Sequence, residues 1–505
     1  MKKGRHTVEE YLKLLIENKL ALSFDISDEL MHTEVNDLTF NTGNQGFGGI
    51  FVCKGMAFRE EYLLTAIENG CILYISEKKY EVEHPYIVVN NIRSAMPLLA
   101  NLYFNGALNS LLSIGVTGTK GKTTTAFMIK GAVDAYMKSL SKVGCAIISS
   151  VKNFDGEQFS PSVMTTPEAI EYQRIFSLAR DNGAEWMVSE VSSQALKYER
   201  VTGAFFSAAI FTNVSRDHIS PYEHPDFEDY YRSKLSIFSI CERAFICSSD
   251  SHFEETLKYA REACRFVYTY GERKNDDFCI SNIITDNGYT VFRVNEEEYK
   301  ISMPGYFNAL NALAAISALS VLGIPSEYIK KGIENLSVDG RCERIVSADK
   351  KISVIVDYAH NKESIDALLK LARESYPDKK ICLIFGCPGK KAYNRRQELG
   401  RSAAECDFVI LTEDDPADES VISICEEIKK YADKGRAKVE IIEDRPSAIK
   451  YAIDTYASDA LILVVGKGSE AHQKRKNGIE AYETDAFHVR ECINAYNSAR
   501  IFVNT

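Results

Sequence analysis

The sequence predicts an α/β protein, and two observations carry that prediction. Short apolar runs ending in glycine or polar residues alternate with helical stretches, in two series. LLSIGVTGTKGKT, CAIISS, EWMVSEVSS and AAIFTNVS follow from Leu111, and KISVIVDYAH, KICLIFGC, DFVILTEDDP and ALILVVGKG come after Arg341. Such runs read as buried strands of largely parallel sheets whose C-terminal tips face ligands. The first run also opens directly into Gly115-Val-Thr-Gly-Thr-Lys-Gly-Lys-Thr-Thr, a phosphate-loop pattern. At roughly 150 residues per domain, the 505 residues of this chain allow three domains.

Composition narrows the function. Asp and Glu (71) outnumber Lys and Arg (60), giving a net charge of −11. That balance argues against a chain that coats nucleic acid or an anionic membrane. Thirteen cysteines are scattered with no C-x-x-C pair, which removes support for zinc ribbons, iron–sulfur clusters and a disulfide framework and favours a reduced cytoplasmic setting.

The opening MKKGRHTVEEYLKLLIENKL begins basic like a signal peptide, but Glu9, Glu10 and Glu17 interrupt any apolar core. Its apolar positions recur at helical spacing, so it reads as an amphipathic helix. Residues 49–53, 71–76 and 86–89 read as strands and about 94–104 as a helix, with no nucleotide motif among them. In the glycine-rich loop, backbone N–H groups and the helix N-terminus can cradle phosphate, Lys122 can neutralise β/γ-phosphates and Thr123 can hold Mg²⁺. Glu190 ends the strand of EWMVSEVSS and is a natural second protein ligand for the nucleotide's Mg²⁺. Asp217-His218 follows AAIFTNVS, and as a lone pair reads as structural. Lys234, judged from its neighbours alone, reads as a solvated helix residue. Residues 338–342 read as a hinge before the second series. Ser192 and Ser193 lack a nucleophile elbow, and Asn361-Lys-Glu-Ser364 lacks the aspartate of a guanine-reading motif.

Taken together, GVTGTKGKTTTA, MTTPEA, SEVSSQAL with Arg200, FTNVSRDH, Lys234, PGYFNALNALAA, DGRCER, VDYAH, FGCPG and VVGKGSE resemble the Mur ligases in the family's own order, over roughly residues 40–485. The TTPE and EVSS strings make the chain most similar to the MurE type, which adds the third peptide residue. The resemblance implies three domains: residues 1–108 binding a UDP-linked substrate, 109–339 a central P-loop ATPase, and 340–505 a Rossmann-like domain that brings the amino acid. It implies a cytoplasmic monomer that uses ATP and Mg²⁺ to extend UDP-N-acetylmuramoyl-L-alanyl-D-glutamate through an acyl phosphate, with no nucleic-acid partner and no membrane insertion. A folylpolyglutamate-synthetase-like ligase and a catalytically silent nucleotide-binding protein are the alternatives. The N-terminal domain and TTPE weigh against the first. The intact set of Lys122, Thr123, Glu190, His218 and Lys234 weighs against the second.

The resemblance also assigns residues. Gly118, Thr119, Lys120, Gly121, Lys122, Thr123, Asn311, Arg341 and Asp357 match ATP contacts. Thr123 and Glu190 match ligands of a first metal, and His218 one of a second. Lys234 falls where the family carries a lysine carbamylated by CO₂, an anion able to face Mg²⁺. Thr42 matches the uridine site, and Thr165, Thr166, Ser192 and Arg200 the muramoyl-dipeptide contacts. Arg396, Asp414, Asp415, Ala417, Gly466 and Glu470 match the amino-acid site. Asn41-Thr42-Gly43 stands where the family has Asp-Ser-Arg, Lys120 where it has asparagine and Gln194 where it has histidine. At Asp414-Asp415-Pro416-Ala417, diaminopimelate-adding members resemble Asp-Asn-Pro-Arg, whose arginine pairs with a carboxylate. Asp418 and Glu419 follow; Ala417 cannot do this, and the neighbouring aspartates are expected to repel a carboxylate and attract a terminal ammonium. The chain is therefore expected to add L-lysine, with L-ornithine and meso-diaminopimelate as alternatives.

Overall fold

The computed structural model describes residues 6–44, 46–55, 58–220, 223–286, 288–391 and 393–501. It divides into two compact units, one running to Cys279 and including Asn311–Gly332, the other comprising Ile280–Leu310 and the chain from Ile333. Among the described residues, no helix is long and apolar enough to cross a membrane.

The first unit opens with the expected amphipathic helix, Val8–Glu17, which buries Val8, Tyr11, Leu12 and Leu15 and is closed by a Thr7/Glu10 capping box. Residues 1–5 of that expectation lie outside the described residues. A five-stranded sheet follows in the order Ala21–Asp25, Tyr86–Val89, Cys71–Ser76, Gly49–Val52, Asp37–Thr39. All neighbours are parallel except the first pair. The tips of Asp37–Thr39 and Gly49–Val52 therefore place residues 41–43 and Lys54 on one edge.

The larger sheet of this unit has a parallel core in the order Ala146–Ile148, Trp186–Glu190, Leu112–Thr117, Ala208–Phe211, Arg243–Cys247, Phe266–Gly271, and Lys152–Phe154 and Phe159–Pro161 extend it antiparallel beyond Ala146–Ile148. Its central strands are buried on both faces, as their mainly apolar runs require. Val116 pairs with Glu190 and Thr117 with Phe211, which brings three strand ends to one level.

In the second unit, the antiparallel strands Phe278–Asp286, Tyr289–Val294 and Glu297–Ile301 form a meander. Its main sheet orders Glu343–Val346, Ser353–Asp357, Ala460–Val465, Lys380–Phe385, Phe408–Leu411 and Lys438–Ile441, all parallel but the first. The four strands expected from the second series are there. Lys438–Ile441, half polar and partly exposed, and the hairpin His472–Arg475/Gly478–Ala481 escaped the sequence.

Candidate active site

The strand Leu112–Thr117 ends in the loop 118–121, and the helix Lys122–Ser139 starts from it with Gly121 at its N-cap. Two glycines make that turn possible. Gly118 sits at φ +146° and Gly121 at φ +85°. A Cβ on Gly118 would come 2.0 Å from Thr212 Oγ1, and one on Gly121 2.2 Å from Asn311 Oδ1. Asn311 thus borders the loop. The loop is also held from Asn213, whose Oδ1 accepts from Lys120 N (2.9 Å) and whose carbonyl accepts from Thr119 N (2.9 Å). No motif marks Asn213 beyond its strand-end position.

Thr123 and Glu190 meet as the sequence implies. Thr123 Oγ1 donates to Glu190 Oε2 at 3.0 Å, and Glu190 Oε1 accepts from Ser150 N at 2.8 Å. Ser150, which also touches Thr123 Oγ1 at 2.9 Å, is a residue that sequence reasoning missed. Its only signal is that it follows the strand next to Trp186–Glu190.

Lys234 corrects the reading from its neighbours. It is 2 % exposed, because the helix Phe227–Leu235 turns this face, with Tyr230, Tyr231 and Leu235, into the core. Its Nζ donates to the Gly118 carbonyl at 2.8 Å, and Lys122 Nζ donates to the same oxygen at 2.9 Å. Burial pushes the Lys234 amine well below its ordinary pKa, the nearby Lys122 ammonium lowers it further, and Asp217 opposes both. His218 is exposed at φ +58°, its ring stacked near Tyr230 and its Nδ1 3.3 Å from Glu223. Asp217 pairs with Lys120 at 3.2 Å. Gln194, where the family has histidine, donates to Glu223 at 3.1 Å and so joins the His218 neighbourhood.

The expected dipeptide contacts gather at the same strand tip. Thr166 Oγ1 donates to the Glu190 carbonyl (2.8 Å) and accepts from Ser192 N (3.0 Å), and Arg200 donates to the Thr166 carbonyl (3.2 Å). Ser192 caps the short helix Ser193–Lys197. Thr165 is half-buried beside them, and Thr42 lies in a 3₁₀ turn after Asp37–Thr39.

In the second unit, Asp357 ends Ser353–Asp357 and accepts from the N–H groups of Cys342 (2.6 Å) and Ala359 (2.7 Å), and Arg341 stacks 4.5 Å from the Tyr358 ring centroid. Asp414, Asp415 and Glu470 surround the fully buried Lys467, whose Nζ lies 3.0 Å from Asp415, 3.2 Å from Glu470 and 4.0 Å from Asp414. Gly466, at φ +111°, leaves room for Asp414, since a Cβ there would lie 2.6 Å from its Oδ2. Burial raises the Asp414 carboxyl to about 6. The Asp415 and Ala417 backbones are pinned by the hairpin through Gln473 Oε1 and the Lys474 carbonyl.

The expectation that the neighbouring aspartates draw an ammonium needs correction at Asp418. Asp418 is paired with Lys390, and Glu419 binds Arg396 at 2.7 and 2.8 Å. These charges are spent within the fold. Arg396, buried, also binds Glu427 at 2.6 Å, while its Nε has no hydrogen-bond partner among the described residues. Neither acid carries a motif that reveals the pairing.

Residues 116–319 match the Mur ligase middle domain, and residues 340–468 match the Mur ligase, glutamate ligase domain. The UDP-N-acetylmuramoyl-L-alanyl-D-glutamate--L-lysine ligase of Enterococcus faecalis is 34% identical over 94% of this chain and 94% of its own. The UDP-N-acetylmuramyl-tripeptide synthetase of Lactobacillus delbrueckii subsp. bulgaricus is 34% identical over 95% and 97%. Among solved structures, a UDP-N-acetylmuramoyl-L-alanyl-D-glutamate--2,6-diaminopimelate ligase shares the fold at 23% identity, covering 98% of this chain and 99% of its own with a TM-score of 0.65. Matched in both domains and this similar to relatives over nearly its whole length, the chain belongs to the Mur ligase family.

Proposed function

We propose that the protein is an ATP- and Mg²⁺-dependent ligase that joins L-lysine to UDP-N-acetylmuramoyl-L-alanyl-D-glutamate in peptidoglycan precursor synthesis, acting as a cytoplasmic monomer. In this reading residues 1–108 bind the UDP-linked substrate, 109–339 the ATP and 340–505 the amino acid. The observation that carries it is the meeting of Thr123, Glu190, Lys122 and Lys234 at the end of one phosphate loop. Relatives named for this reaction, similar along almost the whole chain, support the choice of substrate.

The chemistry needs little covalent help from the protein. An oxygen of the D-glutamyl carboxylate attacks the γ-phosphorus of ATP, ADP leaves, and an acyl phosphate forms. The lysine α-amine then attacks the acyl carbon, inorganic phosphate leaves, the amine loses a proton and the amide remains. Phosphoryl transfer of this kind is governed by positioning and charge neutralisation. Loop N–H groups at 118–123 would hold the phosphates, and Lys122 would swing from its loop carbonyls onto the β/γ-oxygens. Arg341 and Asp357 would serve the phosphate and ribose, and Asn311 the adenine.

The residues present fit Mg²⁺. A hydroxyl and a carboxylate 3.0 Å apart are hard oxygen donors converging on one spot. When bound, the metal would offset phosphate charge. Thr123 and Glu190 would hold the first ion, His218 and a carbamate on Lys234 the second. Two amines on one carbonyl, one of them buried, support that carbamate. Converting Lys234 to an anion removes the repulsion from Lys122 and gives the buried position a counter-charge.

For the amino acid, Ala417 offers no partner to a second carboxylate. Asp414, Asp415 and Glu470 outnumber the single ammonium of Lys467 among them, so this end of the sheet repels an acidic side chain and favours a basic one. Ligation of lysine, ornithine and diaminopimelate under identical conditions tests the specificity. Lysine should give the highest kcat/KM, with ornithine next. A clear preference for diaminopimelate would contradict it and leave the ligase assignment standing.

A further inference from the structure

Cys241 and Cys264 are free thiols that lead into two neighbouring strands of the larger sheet. Arg243 pairs with Phe266 in the parallel ladder between Arg243–Cys247 and Phe266–Gly271. Two residues earlier on each strand, the same register sets Cys241 opposite Cys264. Both backbones are extended there, Cys241 at φ −140° and Cys264 at φ −120°, so the register continues past the last paired residues. Side chains of paired residues stand on the same face of a sheet, and the two Sγ atoms lie 3.5 Å apart.

This placement suits a covalent link. Neighbouring strands run about 4.8 Å apart, inside the roughly 4.4–6.8 Å between Cα atoms that a disulfide spans. An S–S bond is about 2.0 Å long, so side-chain rotation that brings the sulfurs about 1.5 Å closer completes it with the backbone in place.

The two thiols are unequal. Cys241 is 4 % exposed, and its thiol donates to the Phe238 carbonyl at 3.7 Å. Cys264, at the C-cap of the helix Phe253–Ala263, is only half-buried. The hydrogen bond between the sulfurs lowers the Cys264 thiol to about 7, with burial working against it, and the same bond raises Cys241. The thiolate is the nucleophile of cysteine chemistry, and an accessible thiolate beside a second thiol is the pairing of an attacking and a resolving cysteine.

We propose that Cys264 and Cys241 form a reversible disulfide when the protein meets hydrogen peroxide. The Cys264 thiolate attacks one peroxide oxygen, the O–O bond breaks, and the departing hydroxide takes a proton and leaves as water. A sulfenic acid remains on Cys264. The Cys241 sulfur then attacks the Cys264 sulfur, the sulfenic hydroxyl leaves with the Cys241 proton as a second water, and the S–S bond forms. One peroxide is reduced and two thiols are oxidised. A dithiol reverses the link by exchange. The buried partner thereby spares Cys264 from sulfinic acid, which thiols do not reduce.

The test treats full-length protein with a small excess of hydrogen peroxide under native conditions, alkylates the remaining thiols and maps the digest by mass spectrometry. Wild type should give a peptide pair linked through Cys241 and Cys264, both protected from alkylation, and dithiothreitol should return both thiols. Cys241→Ser should lose the link and carry Cys264 on to sulfinic acid, and Cys241→Ala replaces it if it fails to fold. Cys264→Ser should leave Cys241 reduced at the same dose. Wild type in which both residues stay open to alkylation overturns the proposal. So does wild type in which Cys264 reaches sulfinic acid as readily as in Cys241→Ser, or a link that forms only after unfolding in denaturant.

Discussion

Two amines on one carbonyl oxygen are the most informative pair of side chains in the first unit. Lys122 is positioned by its loop and has no place in the core, so Lys122→Ala should lower turnover by roughly two to three orders of magnitude while the unfolding temperature changes little. Parallel kinetics and thermal unfolding measure this, and a folded variant of near wild-type activity would rule out the ATPase role. Lys234→Ala should be nearly inactive and should regain part of its activity with a small carboxylic acid that refills the anionic position. Mass spectrometry under CO₂ at neutral pH should find the carbamate's added mass on this lysine. Lys122, Thr123 and Glu190 were legible because strand, loop and helix lie in one continuous stretch or at a strand tip. Lys234 was legible only through resemblance. The charged neighbours Glu228, Asp229 and Arg232 on its helix disguise a face that tertiary packing buries.

At the scale of elements, the glycine turn and the acidic loop after Phe408–Leu411 each make a prediction. Gly118→Ala forces a Cβ into Thr212 Oγ1 at a positive φ, so it should lower both stability and ATP affinity. Calorimetry and nucleotide titration would detect both losses. Asp414 has a folded-state pKa of about 6 against an ordinary 3.8. Between these values the folded chain holds a proton that the unfolded chain has released, so this group's contribution to stability falls as pH rises from about 4 to above 6. Asp414→Asn should flatten that decline, measured as denaturant unfolding at pH 5 and pH 8, and an identical pH dependence in both proteins would contradict it. The strands of both series were legible because burial on two faces leaves continuous apolar runs. Lys438–Ile441 was not, because its half-exposed residues mix charge with apolar side chains. The pairing of Asp418 and Glu419 was hidden too, since Lys390, Arg396 and Glu427 come from other elements.

For the whole molecule, the order of motifs carried more than any motif alone. Asp217-His218 and Lys234 meant little singly and became a coherent set once the strings before and after them fell into family order. What the sequence could not convey is how charges neutralise one another across distant segments, as in Lys54 with Glu168 and Arg200, or Arg445 with Asp485 at 2.7 Å inside the second unit. These pairs depend on the folded sheet edges. The central claim is that this chain couples ATP cleavage to extension of a UDP-linked dipeptide. The most direct test is phosphate release from ATP by purified protein, with each substrate omitted in turn. The account predicts rapid release only when UDP-N-acetylmuramoyl-L-alanyl-D-glutamate and L-lysine are both present, in step with formation of the tripeptide product. Release indifferent to the UDP-linked dipeptide, or none with both substrates supplied, would contradict it.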